Sequence, residues 1–239
     1  MPKIETLLSP ALFHLHSEGI EDKQVVIIDI LRATTTVVVA FENGVDHVVA
    51  SASVKETQTF RDKGYLVAAE RNGITVEGFD LGNSPQDYTP ELVNGRNIAL
   101  TTTNGTRALN MAEEAETVWV ASFRNLTATA DALTQNGRDV LLFCAGWKDR
   151  FNMEDTLFAG ALAEQLMSRG WSTEDDATLA AMDLYTRNQP QLPDFLEQAS
   201  HVQRFKTLHL ESDLEVCLKT DSSRIVVKLD GDKLVGQTM

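Results

Sequence analysis

Short apolar runs rich in β-branched residues alternate with stretches of helical composition along most of this chain. That alternation limits the fold more than any other feature. The runs cover residues 25–30 (VVIIDI), 47–50, 65–69, 97–101, 117–121 and 140–143, each bounded by turn-forming residues as buried strands are. Their apolarity is continuous rather than alternating, the pattern of strands covered on both faces. Helices are predicted between them, over 35–43, 54–63, 105–113, 126–135 and 155–169, with Gly44, Gly64 and Gly170 placed to cap three of them. Strand–helix alternation of this kind predicts an α/β fold, a layered α/β/α arrangement on a mainly parallel or mixed sheet.

Further along, a helix is predicted over 177–187, a turn with two prolines over 188–194 and a second helix over 195–208. Residues 225–235 read as a hairpin with Asp230-Gly231 at the turn. Residues 73–90 form a long loop, and loops of that length inside a domain are more often functional than idle. Three segments, VVIIDILRATTTVVVAF, RNIALTTTNGTRALNMA and DVLLFCAGWKDRFNMEDTLFAGAL, share a strand–polar loop–helix plan. One domain over residues 1–239 is expected. An internal pseudo-repeat, giving two similar subdomains, is the open alternative. In open α/β sheets ligands bind beyond the carboxyl ends of the strands, so the loops after these strands are the place to look.

With 43% hydrophobic residues among 239, the chain can bury a sizeable core. Its two cysteines, Cys144 and Cys217, offer no disulfide framework and fit a reducing compartment. The opening residues do not read as a secretion signal, and no apolar run approaches the roughly 20 residues that span a bilayer. The cytoplasm is the expected location, without membrane attachment. The formal net charge of -14 argues against nucleic acid as a partner. It also means that any anion site must be built locally, from arginines, backbone N–H groups or a bound cation. A homodimer is the default assembly.

Chemistry-bearing side chains cluster at the ends of the apolar runs. Asp29 sits inside the first, and a carboxylate near the end of a buried strand is costly unless paired, hydrogen-bonded or coordinated. It reads as a cation ligand or a nucleophile, with Arg32 as a clamp on phosphate oxygens and Thr34 as a further donor. The alternative is an internal Asp29–Arg32 ion pair with Thr34 capping the helix. Thr103, Asn104, Gly105, Thr106 and Arg107 follow another run and read as a phosphate cradle, or simply as a well-capped helix start. Glu70 and Arg71 end a third run. Asn83 and Ser84 lie in the long loop, Glu154 and Asp155 precede an Ala-rich helix, and His201 is a candidate acid or ligand. Cys144 reads as a small buried group, because no base histidine stands in a recognisable relation to it. Walker, GxSxG, GxGxxG, CxxC and HExxH patterns are all absent.

Taken in order, VVIIDILRATTT, AAERNGITVEGFDLGNSP, LTTTNGTRAL, FCAG with MEDTLFAG, and SHVQRFKTL with DLEVCLKTD are similar to the 2-phosphosulfolactate phosphatase family over roughly residues 24–221. The resemblance implies an α/β/α fold and Mg²⁺-dependent hydrolysis of 2-phospho-3-sulfolactate to 3-sulfolactate and phosphate, a step of coenzyme M biosynthesis in organisms that make it. It marks Asp29, Arg32, Glu70, Arg71, Asn104, Arg107, Glu154 and Asp155 as site residues. Among these the expected metal ligands are Asp29 with Glu70 or Asp155. Arg71 or Arg124 is left to receive a sulfonate or carboxylate. The haloacid dehalogenase phosphatases also begin with a strand-end Asp, but they need a second Asp where Leu31 stands here. Two rivals stay open: a phosphatase of another small acidic ester, and a non-catalytic anion-binding domain on the same fold.

Overall fold

A computed structural model describes all residues, 1–239. Its strands are β1 (Ile4–Leu7), β2 (Gln24–Ile28), β3 (His47–Ala50), β4 (Leu66–Arg71), β5 (Ile74–Thr75), β6 (Asn97–Thr101), β7 (Thr117–Ala121), β8 (Val140–Cys144), β9 (Ile225–Asp230) and β10 (Lys233–Thr238). They form one sheet in the order β1-β8-β2-β7-β9-β10-β3-β6-β4-β5. Neighbours among β1, β8, β2 and β7 are parallel, as are those among β3, β6 and β4. The antiparallel β9–β10 hairpin joins the two groups. The sheet is therefore mixed, within an α/β fold.

The helices are α1 (Ala33–Glu42), α2 (Val54–Thr59), α3 (Pro90–Val93), α4 (Gly105–Met111), α5 (Leu126–Asn136), α6 (Met153–Ser168), α7 (Asp176–Asn188), α8 (Leu192–Leu196), α9 (Ser200–Leu208) and α10 (Glu211–Leu218). Strand residues of alternating parity serve two cores, which is why the runs are apolar throughout. Val26, Ile28, Leu142 and Cys144 pack with α5, α6 and α7. Val25, Ile27, Leu141 and Phe143 belong to a second core with Val38 of α1 and Leu109 of α4. In that core Ile27 and Val120 share a small apolar cavity with Val48, Leu100 and Leu234. The sheet thus curls around α1 and α4, and the ends of β2 and β6 meet although the strands are not neighbours in it.

Several boundaries differ from the sequence reading. β2 stops at Ile28, so Asp29 stands just beyond the strand rather than inside it. The helix expected over 195–208 is broken into α8 and α9, with Pro193 in the first turn of α8. The hairpin turn is Gly231-Asp232, because Asp230 still pairs with Lys233. β1 and α10 were not anticipated; each is a short segment whose burial depends on partners far along the chain. Gly44, Gly64 and Gly170 all have positive φ, as expected of helix-ending glycines. Gly160 of α6 is needed for closeness: a Cβ there would run into the Ala181 carbonyl of α7. No helix is long and apolar enough to cross a membrane.

Candidate active site

The loops after β2, β4, β6 and β8 converge on one polar pocket, and α9 covers it. Asp29 and Arg32 come from the first loop, Glu70 from the end of β4 and Gly73 from the turn after it, Thr102, Thr103 and Asn104 from the third loop, and Trp147 and Lys148 from the fourth. Asn83 of the long loop joins them. From α9, His201, Arg204, Phe205 and Leu208 point into the same space, a spacing that puts them on one helix face.

The carboxylates are arranged in depth. Asp29 is buried, and its Oδ1 accepts the Ala33 N–H at 3.3 Å while Oδ2 has no hydrogen-bond donor. Burial pushes its carboxyl up to about 6, and the nearby charges of Glu70 and Glu154 push the same way against an opposing pull from His201. Glu70 accepts the Gly73 N–H through Oε1. Glu154 is fully buried; its Oε1 accepts from His201 Nδ1 at 2.5 Å, and its Oε2 has no partner. Asp155, also fully buried, accepts the N–H of Ile30 at 2.8 Å and of Gly146 at 3.1 Å. It thereby staples the β2–α1 loop to the β8–α6 loop. Burial, then the Glu154 and Asp29 charges, hold its carboxyl well above the usual range.

The cations divide into committed and available ones. Arg32 donates to Asp213 Oδ2 at 2.5 Å and to the Gly73 carbonyl at 2.9 Å, with Phe205 stacked on its guanidinium. The Asp29–Arg32 ion pair left open by the sequence is therefore not the one formed. Arg124 is taken by both carboxylate oxygens of Glu42, which removes it as an anion receptor for the site. Lys148 and Arg204 flank the Trp147 ring at 4.8 and 4.9 Å from its centroid, at the pocket edge.

Of the residues singled out from the sequence, Asp29, Arg32, Glu70, Asn83, Thr103, Asn104 and His201 line this pocket, and Glu154 stands behind His201. The others lie around it. Thr34 Oγ1 donates to the Asp29 carbonyl and accepts the Asp29 N–H, so it locks the loop instead of facing the pocket. Ser84 donates to Asp213 Oδ1 at 2.7 Å and so supports the Arg32 pair. Gly105 packs against Asp29, and a Cβ there would come within 3.0 Å of Oδ2. Thr106 closes a reciprocal lock with Thr102. Arg71 and Arg107 line an adjoining outer hollow, and Arg107 pairs with Asp149 at 2.6 Å. Trp147, Lys148, Arg204 and Asp213 were not chosen as site residues beforehand. The spacing His201, Arg204, Phe205, Leu208 is the available signal for the α9 wall; Asp213 opens the DLEVCLKTD segment, but nothing there pairs it with Arg32.

Cationic and hydroxyl donors and buried carboxylates line one pocket, a combination that suits hydrolysis of a phosphate monoester. The protein is a phosphoric monoester hydrolase, a conclusion that rests on this arrangement together with its relatives. A family model described as 2-phosphosulpholactate phosphatase matches residues 9–232. The chain belongs to that family. It is 37% identical over 219 residues to a probable 2-phosphosulfolactate phosphatase of Caldanaerobacter subterraneus subsp. tengcongensis, covering 90% of this chain and 91% of the relative. A protein of the same description from Symbiobacterium thermophilum is 38% identical over 215 residues, covering 88% and 92%. One from Thermotoga maritima is 36% identical over 210 residues, covering 88% and 90%. Membership of an enzyme family sets aside the non-catalytic anion-binding alternative.

Proposed function

We propose that the enzyme hydrolyses 2-phospho-3-sulfolactate to 3-sulfolactate and phosphate, using Mg²⁺ held by Asp29 and Glu70. The observation that carries this reading is the buried Asp29, with one oxygen lacking a donor, set among further carboxylates at a strand end. Negative charge gathered this way is what a cation relieves. The donor set is oxygen-rich: Asp29 and Glu70 line the pocket with Thr102, Thr103 and Asn104. That suits Mg²⁺, which takes one or two carboxylates and fills its shell with phosphate and water. Asp155 is left out of the ligand set because both its oxygens accept backbone N–H groups. When bound, the ion would offset charge on the phosphoryl oxygens. The names of the relatives support the substrate, and where coenzyme M is made this hydrolysis is one of its steps.

The chain's own groups account for the rest of the chemistry. Water adds to phosphorus and the P–O bond to the C2 oxygen breaks. That oxygen then needs a proton, since an alkoxide is a poor leaving group. His201 is the donor in this reading: Glu154 holds Nδ1, which leaves Nε2, free of protein partners, toward the pocket. Thr103 and Asn104 steady the ester, and Arg32, fixed by Asp213, lines the same pocket. Arg107, first expected at the chemical centre, belongs instead to the outer hollow.

Phosphate release from a panel containing 2-phosphosulfolactate, 2-phospholactate and phosphoglycolate, each with Mg²⁺ and with chelator, tests the proposal. The expected result is release that is fastest from phosphosulfolactate and lost with chelator. Faster release from another ester would replace the substrate, and release undiminished by chelator would remove the metal. His201→Asn is expected to lower kcat on the alkyl ester by about 10²- to 10⁴-fold. With p-nitrophenyl phosphate, whose leaving group needs no proton, the loss should be much smaller. Equal losses on both esters would assign His201 a purely structural role.

A further inference from the structure

The outer hollow beside the pocket has a composition that the chemistry described so far does not use. Arg71 at the end of β4 and Arg107 on α4 face it together with the Thr103 hydroxyl, and Thr102 and Thr103 are shared with the inner pocket. Not one Asp or Glu lines it, in a chain whose formal net charge is -14. The inner pocket, by contrast, is lined by Asp29 and Glu70. Because Thr102 and Thr103 line both spaces, an arm of an ester held in the inner pocket can reach past them into the hollow.

Both arginines can receive an anion. Arg71 spends only part of its fork internally, on the Glu70 carbonyl and Thr101 Oγ1. Arginine has five N–H donors, so others stay free. Arg107 is tied only to Asp149, and that pair is half-exposed. Exposed pairs of this kind contribute little and yield readily to a competing anion.

Resting on the substrate reading above, we infer that this hollow is the sulfonate subsite, with Arg71 and Arg107 as the specificity-determining residues. The assignment of arms follows from their chemistry. Phosphate and carboxylate oxygens are good ligands for a hard cation and belong with Asp29 and Glu70. A sulfonate stays charged at every working pH, binds hard cations weakly and takes up hydrogen-bond donors instead. A hollow with arginines, a hydroxyl and no carboxylate matches it.

The test compares kcat/KM for 2-phosphosulfolactate with that for 2-phospholactate, which lacks only the sulfonate, in wild type, Arg71→Met and Arg107→Met. Each substitution is expected to lower that ratio roughly 10- to 100-fold, the size expected for one lost charge-assisted hydrogen bond, with the change carried by KM. A ratio within about twofold of wild type in both variants would overturn the inference. Calorimetric binding of 3-sulfolactate in the presence of chelator gives a readout independent of turnover. Affinity lowered by either substitution supports the subsite, and unchanged affinity in both overturns it. If wild type releases no phosphate from phosphosulfolactate, the substrate reading fails by itself, and the chelator titration still decides the hollow. Arg107 is half-exposed, so its variant keeps the test valid should Arg71→Met not fold.

Discussion

Asp29→Asn is expected to lower kcat by about a thousandfold, and in the presence of chelator to make the protein more stable at pH 7.5. Both effects come from one carboxylate. In the unfolded chain Asp29 releases its proton near 3.8, but in the folded protein only near 6. Between those values the native state holds the extra proton. Stability therefore falls as pH rises through that window, and the full deficit persists above it. A difference of this size corresponds to about 3 kcal/mol at neutral pH. Asparagine keeps an oxygen for the Ala33 N–H and removes the charge. Thermal melts with chelator should show a midpoint for the variant several degrees above wild type at pH 7.5, shrinking toward pH 4. A variant with normal turnover, or one less stable than wild type at neutral pH, would remove Asp29 from the place assigned to it.

The second large effect lies at Asp213. Its carboxylate neutralises a guanidinium that is almost wholly out of water, the two side chains being 2% and 4% exposed. It also accepts from Ser84 and Gln86, so one group holds α10, the long loop and the β2–α1 loop together. Asp213→Ala leaves Arg32 charged and unpaired in the interior, a change that costs about 3–5 kcal/mol. Urea unfolding should show the midpoint fall with the slope unchanged. The double variant Arg32→Met/Asp213→Leu is expected to recover most of that stability, since replacing both members of a buried pair by apolar groups is often neutral. It should stay poorly active, because the pocket wall is gone. A loss below about 1 kcal/mol for Asp213→Ala would mean that water reaches the pair and that Arg32 is freer than its burial indicates.

Much of the scaffold could be read before any coordinates. Continuous apolar runs marked the doubly covered strands, and the polar residues that interrupt them marked the loops of the site. Asp29, Glu70 and Asn104 are legible because the chain changes character there. The duties of individual side chains were less accessible. Hydroxyls at Thr34 and Thr106 look like ligand donors in sequence, yet the structure uses them to tie the backbone of their own loops. Arg32 and Asp213 are 181 positions apart, and no local pattern links them. Asp155 and Glu154 are adjacent and equally buried, but the first staples two loops while the second turns to His201. Which of two neighbouring acids does which depends on helix orientation against the sheet, and that is set by packing across the whole core.

The position of the β9–β10 hairpin has a consequence for how the molecule is made. It lies mid-sheet, between β7 and β3, yet it is drawn from residues 225–238. While the chain is being synthesised, the strands on either side must wait with bare hydrogen-bonding edges until those residues arrive. Such edges invite pairing with other chains. Joining them last also makes the decisive contacts long-range ones, which slows folding. The hairpin is the keystone of the arch, and a ribosome stalled before it would release two half-vaults instead of a catalyst.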